Sequence, residues 1–225
     1  MSKVTQVVTA ADAAAIERRV AEFEARTGVE IVAAVERRSD LYPEVPWRAF
    51  ALGASLASLG TLVVDLLHPG WTTPGALLAQ AVSILGAGLL TTLIAMLAPG
   101  IARLFIRRGR MQQEVRQRAE VVFLTRELFA TPGRDALLVL VSRFERSVVI
   151  VPDVAYRDRV SAAEWQAVVE LMMPSLAAGQ LVGAFDAGLT AIEALLAEKG
   201  FAGRHARERF PDALVQGASG VEEGA

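Results

Sequence analysis

The side chains of this sequence that could do chemistry are few, and most of them are carboxylates. There is no cysteine, and the histidines are His68 and His205. Disulfides, zinc–thiolate sites, iron–sulfur clusters and cysteine nucleophiles are therefore excluded. His68 sits at the end of a long apolar stretch and His205 lies in a polar C-terminal segment, so neither is placed to act as a general base. The H-E-x-x-H, P-loop and G-x-S-x-G patterns are absent. What remains is a set of carboxylates able to hold Ca²⁺ or Mg²⁺ without histidine: Glu30, Asp40, Asp135, Asp153 and Asp158. Asp153 closes an expected strand and Asp158 follows shortly after, so these two are the candidate metal ligands at one sheet edge. In the plainer reading they are ordinary loop carboxylates, with Asp158 paired to Arg157 or Arg159 or capping nearby backbone. The plainer reading is preferred, and no catalytic residue or cofactor is expected.

Two further clusters could make contacts. Ser39, Asp40 and Tyr42, followed by Trp47, stand just before the first long apolar stretch. They read as a membrane-proximal contact site, or as a turn followed by an interfacial aromatic belt. Arg107, Arg108 and Arg110 follow the second stretch and are candidates for binding anionic lipid headgroups, at about 1 kcal/mol each near a surface.

Those apolar stretches are the dominant elements. Residues 49–67 carry one charge, Asp65, and residues 76–105 carry one, Arg103. A helix of about 20 apolar residues crosses a hydrocarbon core of about 30 Å. The short loop between them has Pro and Gly and no charge, so the pair reads as a transmembrane helical hairpin. Arginines flank it on both sides: Arg37, Arg38 and Arg48 before, and the run from Arg103 to Arg118 after. The positive-inside rule then places both termini in the cytoplasm of an inner-membrane, multi-pass protein. The first twelve residues have no apolar core, so the first span is expected to serve as the targeting signal. Asp65 and Gln80 lie within the spans, but two spans are too few for a transport path. The small residues Gly53, Ser55, Ala57 and Gly60, with Ala81, Gly86 and Gly88, would let helices approach closely, within the hairpin or between protomers of a homo-oligomer.

The chain has 225 residues and a net charge of −2, which implies no bulk attraction to nucleic acid. Its mean hydropathy is +0.38. Subtracting the hairpin leaves roughly 165 residues, enough for one domain. Before the hairpin, Thr9 opens a helix that Gly28 stops, and residues 29–35 read as a buried strand. The prolines at 43 and 46 argue against regular helix there. After it, Gly109 separates the span from a charged helix over 111–130. Strands follow over 136–142 and 147–152, so closely linked that they form a hairpin. Ser161 and Glu164 make a capping box for the next helix, and a last helix covers 182–199. Residues 202–225 read as a polar, disordered tail. One strand before the membrane hairpin and two after it are not stable alone, so they are expected in one sheet. The segments are then 1–46 and 108–201, forming one α/β domain, 47–107 as the inserted hairpin, and 202–225 as the tail.

This order of elements, with the Gly28-Val29-Glu30-Ile31-Val32 strand, the helix ending in Phe129-Ala130-Thr131, Leu137 to Ser142, Glu145-Arg146, Val148 to Val151 and Asp153, resembles the TPM domain. That family is named after a thylakoid lumen protein, a photosystem-II-associated protein and a nematode receptor modulator. The likeness covers about residues 10–38 and 110–196. Arg38-Ser39-Asp40-Leu41-Tyr42-Pro43, Trp47 and two spans resemble a bacterial integral-membrane subgroup. The resemblance implies an α/β fold, a small sheet covered by helices. Some members are acid phosphatases, some bind metal, and others assist the assembly or repair of membrane complexes. Members often carry a glycine-rich acidic stretch after the second hairpin strand, whereas residues 153–160 here contain no glycine. The expected function is therefore a membrane-anchored interaction domain supporting assembly or quality control of an unidentified membrane complex. Its partners would be membrane lipid and a membrane protein. The alternative is a Ca²⁺- or Mg²⁺-dependent acid-phosphatase-like hydrolase.

Overall fold

The computed structural model describes residues 8–39, 42–68, 73–106, 108–131, 133–201 and 214–217. The chain packs as two compact units, one formed by residues 1–41 with 111–225, the other by 42–110.

The first unit is an α/β sandwich. Helix α1 (Ala10–Thr27) begins where the Thr9 hydroxyl accepts from the Asp12 N–H and ends at Gly28, whose left-handed φ of 70° closes it. It leads into β1 (Ile31–Glu36). Later come β2 (Leu137–Ser142) and β3 (Ser147–Pro152). Strands β1 and β2 pair in parallel, Ile31 opposite Leu137 and Glu36 opposite Ser142, while β2 and β3 form the antiparallel hairpin. A parallel pair needs a long crossover. The whole segment 37–136 supplies it.

Alternation along the strands divides the core in two. Ile31, Ala33, Val35, Leu137, Val139 and Val141 face one side, while Val32, Ala34, Leu138 and Leu140 face the other. Both β1 and β2 are buried throughout, as strands covered on both faces must be. The first side is covered by α1 and by two later helices, α6 (Ala162–Ala177) and α7 (Leu181–Glu198). The capping box of Ser161 with Glu164 starts α6. The second side is covered by α5 (Arg108–Thr125), through Val115, Ala119, Val122 and Phe123.

A fourth strand, β4 (Leu214–Gly217), adds in parallel to the free edge of β1, giving the order β3-β2-β1-β4. This corrects the expectation of a structureless tail over 202–225. Four residues of strand are too short for a periodicity signal, and the edge they cover is invisible in sequence. The rest of that segment lies outside the described residues.

The second unit holds α2 (Glu44–Leu67), α3 (Pro74–Leu97) and a short α4 (Pro99–Ala102). Helix α2 begins earlier than the prolines suggested. Pro46 falls in its first turn, where a backbone N–H would have no intrahelical acceptor, so the missing donor costs nothing. The Thr73 hydroxyl caps α3 and Pro74 occupies its first turn. Gly109 lies inside α5, whose first residue is Arg108, and so does not separate two helices as expected. That helix also ends before residue 130. Glu127 takes a left-handed φ of 52° and a 3-10 turn follows over Leu128–Ala130.

Helices α2 and α3 are each long and apolar enough to cross a membrane, with mean hydropathies of 1.8 and 1.9. In each, 6% of the most apolar stretch is buried. They pack on each other where side chains are smallest. A side-chain carbon on Gly53 would lie 2.6 Å from the Ala87 carbonyl oxygen, and one on Gly88 would lie 2.7 Å from the Phe50 ring. Gln80 Nε2 donates to Asp65 Oδ1 across the pair at 2.7 Å, so these two polar groups of the apolar helices satisfy each other. The Thr92 hydroxyl donates to the Pro46 carbonyl at 3.2 Å.

Candidate functional site

In open sheets with parallel strands, side chains at the carboxyl ends of the strands are the ones brought together by loops. Here that end carries a buried polar cluster. Glu36 closes β1 and Ser142 closes β2, directly opposite each other. The Arg118 guanidinium, from α5, donates to Glu36 Oε1 at 2.9 Å, and the two side chains are 13% and 2% exposed. Beside them the Ser39 N–H donates to Glu145 Oε1 at 3.0 Å, and the Ser39 hydroxyl donates to Ser142 Oγ at 3.1 Å. The Ser142 hydroxyl in turn donates to Glu145 Oε2. Ser39, Ser142 and Glu145 are all buried.

The backbone reinforces this network. The Arg143 N–H donates to the Glu36 carbonyl and the Phe144 N–H to the Arg37 carbonyl, both at 3.0 Å. The segment leaving β1 is thereby zipped to the β2–β3 turn. The Arg38 guanidinium lies over the Phe144 ring, 4.5 Å from its centroid. Chemically, Glu145 spends both oxygens on Ser39 and Ser142 in a water-excluded setting. A serine so held, with its hydroxyl proton turned to a buried carboxylate inside a closed network, fixes loop geometry and presents no nucleophile to solvent.

The metal-ligand candidates lie at the other end of the sheet. Pro152 pairs with Leu137, so Asp153 follows β3 at the amino end of β2. The Arg134 guanidinium grips the Asp153 carboxylate bidentately, with nitrogens 2.9 Å from each oxygen, and the Val154 N–H donates to it at 2.7 Å. The carboxylate holds the Arg134 guanidinium above its usual range. Asp158 is exposed in the following turn. Asp135 is half-buried there, and its carbonyl accepts from the Tyr156 hydroxyl at 2.6 Å. Glu30 is buried, and its carbonyl accepts from the Leu137 N–H. Among the described residues, no three carboxylates or histidines gather as a metal site would require.

Of the membrane-proximal candidates, Ser39 joins the polar cluster and Asp40 lies outside the described residues. Tyr42 is buried with a left-handed φ of 47°, and Trp47 is 75% exposed on α2. Among the arginines after the second apolar helix, Arg110 pairs with Glu44 at 3.1 Å. Arg107 lies outside the described residues, and of Arg108 only the backbone is described. The sequence reading passed over Ser142, Glu145 and Arg118. A serine ending a wholly apolar strand, with a glutamate three positions on in a tight turn, marks Ser142 and Glu145 as a local pair but does not reveal Ser39 as their partner, and no signal marks Arg118.

A cleft in the first unit opens beside the start of α1, lined by Thr9, Asp12, Arg143, Gly179 and Leu181 among others. It holds one carboxylate and one guanidinium, which is not a catalytic constellation.

No protein family model matches the chain, and no curated protein matches it. Among solved structures, it is similar to the NMR structure of the BA42 protein from the psychrophilic bacterium Bizionia argentinensis. The TM-score is 0.54 at 16% identity, over 96% of this chain and all of that one. The likeness is one of fold.

Proposed function

We propose that this chain is an integral membrane protein in which α2 and α3 cross the bilayer as a hairpin, both termini are cytoplasmic, and a TPM-like α/β unit serves as an interaction module. Its role is to support assembly or quality control of a membrane complex. The observation that carries the reading is the exposure of the apolar helices. Leu62, Leu66, Leu89 and Leu97 are 64%, 79%, 63% and 74% exposed, and such side chains continue around both helices. A soluble protein rarely exposes a contiguous apolar patch above a few hundred Å². Hydrocarbon is the solvent that fits this surface, and the internal pairing of Asp65 with Gln80 is what hydrocarbon requires. The exposed Trp47 near the start of α2 suits an interfacial position. The interaction role is supported by the sealed Ser39–Ser142–Glu145 network and by the Arg134 grip on Asp153, which among the described residues engage serines and a carboxylate that a hydrolase would need open.

Extraction with alkaline carbonate and thiol labelling test the reading, and the absence of native cysteine makes labelling clean. The protein is expected to stay in the membrane pellet. A cysteine introduced by Thr72→Cys should react with an impermeant maleimide in intact cells, and one introduced by Ala225→Cys should react only after lysis. Release by carbonate would overturn the membrane assignment, and labelling of Ala225→Cys in intact cells would overturn the topology. Metal-stimulated phosphoester turnover abolished by Asp153→Ala or Asp158→Ala would replace the interaction role with the hydrolase.

A further inference from the structure

We infer that the paired loops at the carboxyl end of β1 and β2 form an anionic-lipid docking surface, built by Arg37, Arg38, Arg143 and Arg146. The inference rests on the membrane reading above and adds a lipid-contacting surface on the α/β unit to it. The four arginines come from two loops far apart in sequence, so no run of charge announces them. The structure joins the loops through the Arg143-to-Glu36 and Phe144-to-Arg37 backbone bonds. Arg37, Arg143 and Arg146 are exposed and Arg38 is half-buried against the Phe144 ring. Among the described residues of these loops, the acidic side chains are engaged inside the fold: Glu145 bonds Ser39 and Ser142, and Glu36 bonds Arg118. The described part of the platform therefore carries three exposed arginines and a half-buried one beside carboxylates held inside the fold, on loops already tied together by backbone hydrogen bonds. Guanidinium forks match phosphate oxygens in geometry as well as charge.

Phospholipid is the phosphate source that the chain itself selects. Residues 37–43 alone join Glu36 to α2. Fully extended, that link spans about 25 Å. A hairpin in the bilayer thus tethers the platform close to headgroups at very high local concentration. Each arginine near an anionic surface contributes on the order of a fivefold gain in binding, so the set discriminates strongly against zwitterionic lipid.

The test uses the full chain in neutral detergent, titrated with phosphatidylglycerol or phosphatidylcholine and read by native mass spectrometry. Wild type should retain phosphatidylglycerol at least tenfold more tightly. The Arg37→Gln/Arg38→Gln/Arg143→Gln/Arg146→Gln variant should lose most of that preference. The Arg143→Gln/Arg146→Gln pair leaves the Arg38–Phe144 stack intact and guards against misfolding; it should lose about half of the preference on a logarithmic scale. Arg18→Gln/Arg116→Gln, at two arginines each 76% exposed elsewhere, should lose none. An unchanged preference in both loop variants overturns the inference while leaving the membrane assignment standing. Competition by soluble glycerol phosphate at equal phosphate concentration overturns the choice of lipid. Release of the wild type by alkaline carbonate overturns both readings together.

Discussion

Glu36 and Arg118 form an ion pair with almost no water around it. Removing one partner from such a pair costs about 3–5 kcal/mol, because the other is left as a buried charge. Arg118→Met should therefore destabilise the α/β unit by about that much in urea denaturation, and Arg118→Lys should cost less, since it keeps the charge and loses the guanidinium fork. A loss below about 1 kcal/mol for Arg118→Met would mean that water or another partner compensates the Glu36 charge. Glu164 behaves differently. The Lys199 ammonium, together with the Ser161 backbone and hydroxyl, holds its carboxyl down at about 2, and Lys199 is raised in return. A carboxyl depressed on folding stabilises fully above its unfolded value of 4.5 and loses that contribution as pH falls toward 2. Stability should thus decline through that window, and Lys199→Met should flatten the decline. The two side chains are 25% and 34% exposed, so added salt should blunt the difference. An acid limb identical in the variant would remove Lys199 as the cause.

The packing of α2 on α3 makes the same kind of prediction for elements. Gly53 and Gly88 stand at the contact, where an added carbon meets Ala87 or Phe50, while Gly60 and Gly86 have nothing within 4 Å. Gly88→Leu should therefore open the helical pair and lower its thermal stability in detergent, whereas Gly86→Leu should leave it unchanged. Equal effects would mean that the contact uses a different face. All four glycines looked alike in the sequence, because a small residue announces close approach without saying to what. The same limit explains what else was legible. Thr9, Gly28, Ser161 and Glu164 act within one turn, so their caps were readable from spacing alone. The apolar stretches were readable because length and absent charge need no partner. Ser142 and Glu145 were not, because their meaning depends on Ser39 arriving from across the inserted segment. Pro46 misled because its effect depends on whether it falls in the first turn, and only the helix start decides that.

At the scale of the molecule, the decisive fact is the place of β1. It lies between β2 and β4, parallel to both, and is buried on both faces. The apolar helices are inserted immediately after it, so one sheet is built from chain on both sides of the insertion. A fragment of residues 108–225 retains β2, β3 and β4 but loses the strand that joins β4 to β2, as well as α1. With α1 goes Arg19, which bonds Asp186 and Glu193 of α7 at 2.8 Å each. Phe23, Ile31 and Val35 also leave the larger core cluster. A β-hairpin with helices on a broken sheet cannot bury enough apolar area to offset its chain entropy. That fragment should be aggregated or molten, with no cooperative thermal transition. A chain in which residues 42–107 are replaced by a flexible linker keeps every strand and every covering helix, so it should be soluble and unfold cooperatively. The linker must leave α5 free to complete the crossover, and about ten Gly/Ser residues supply a mean span of roughly 17 Å. Cooperative unfolding of the 108–225 fragment with native helix content would show that β1 is dispensable and that the sheet does not depend on chain from both sides of the insertion.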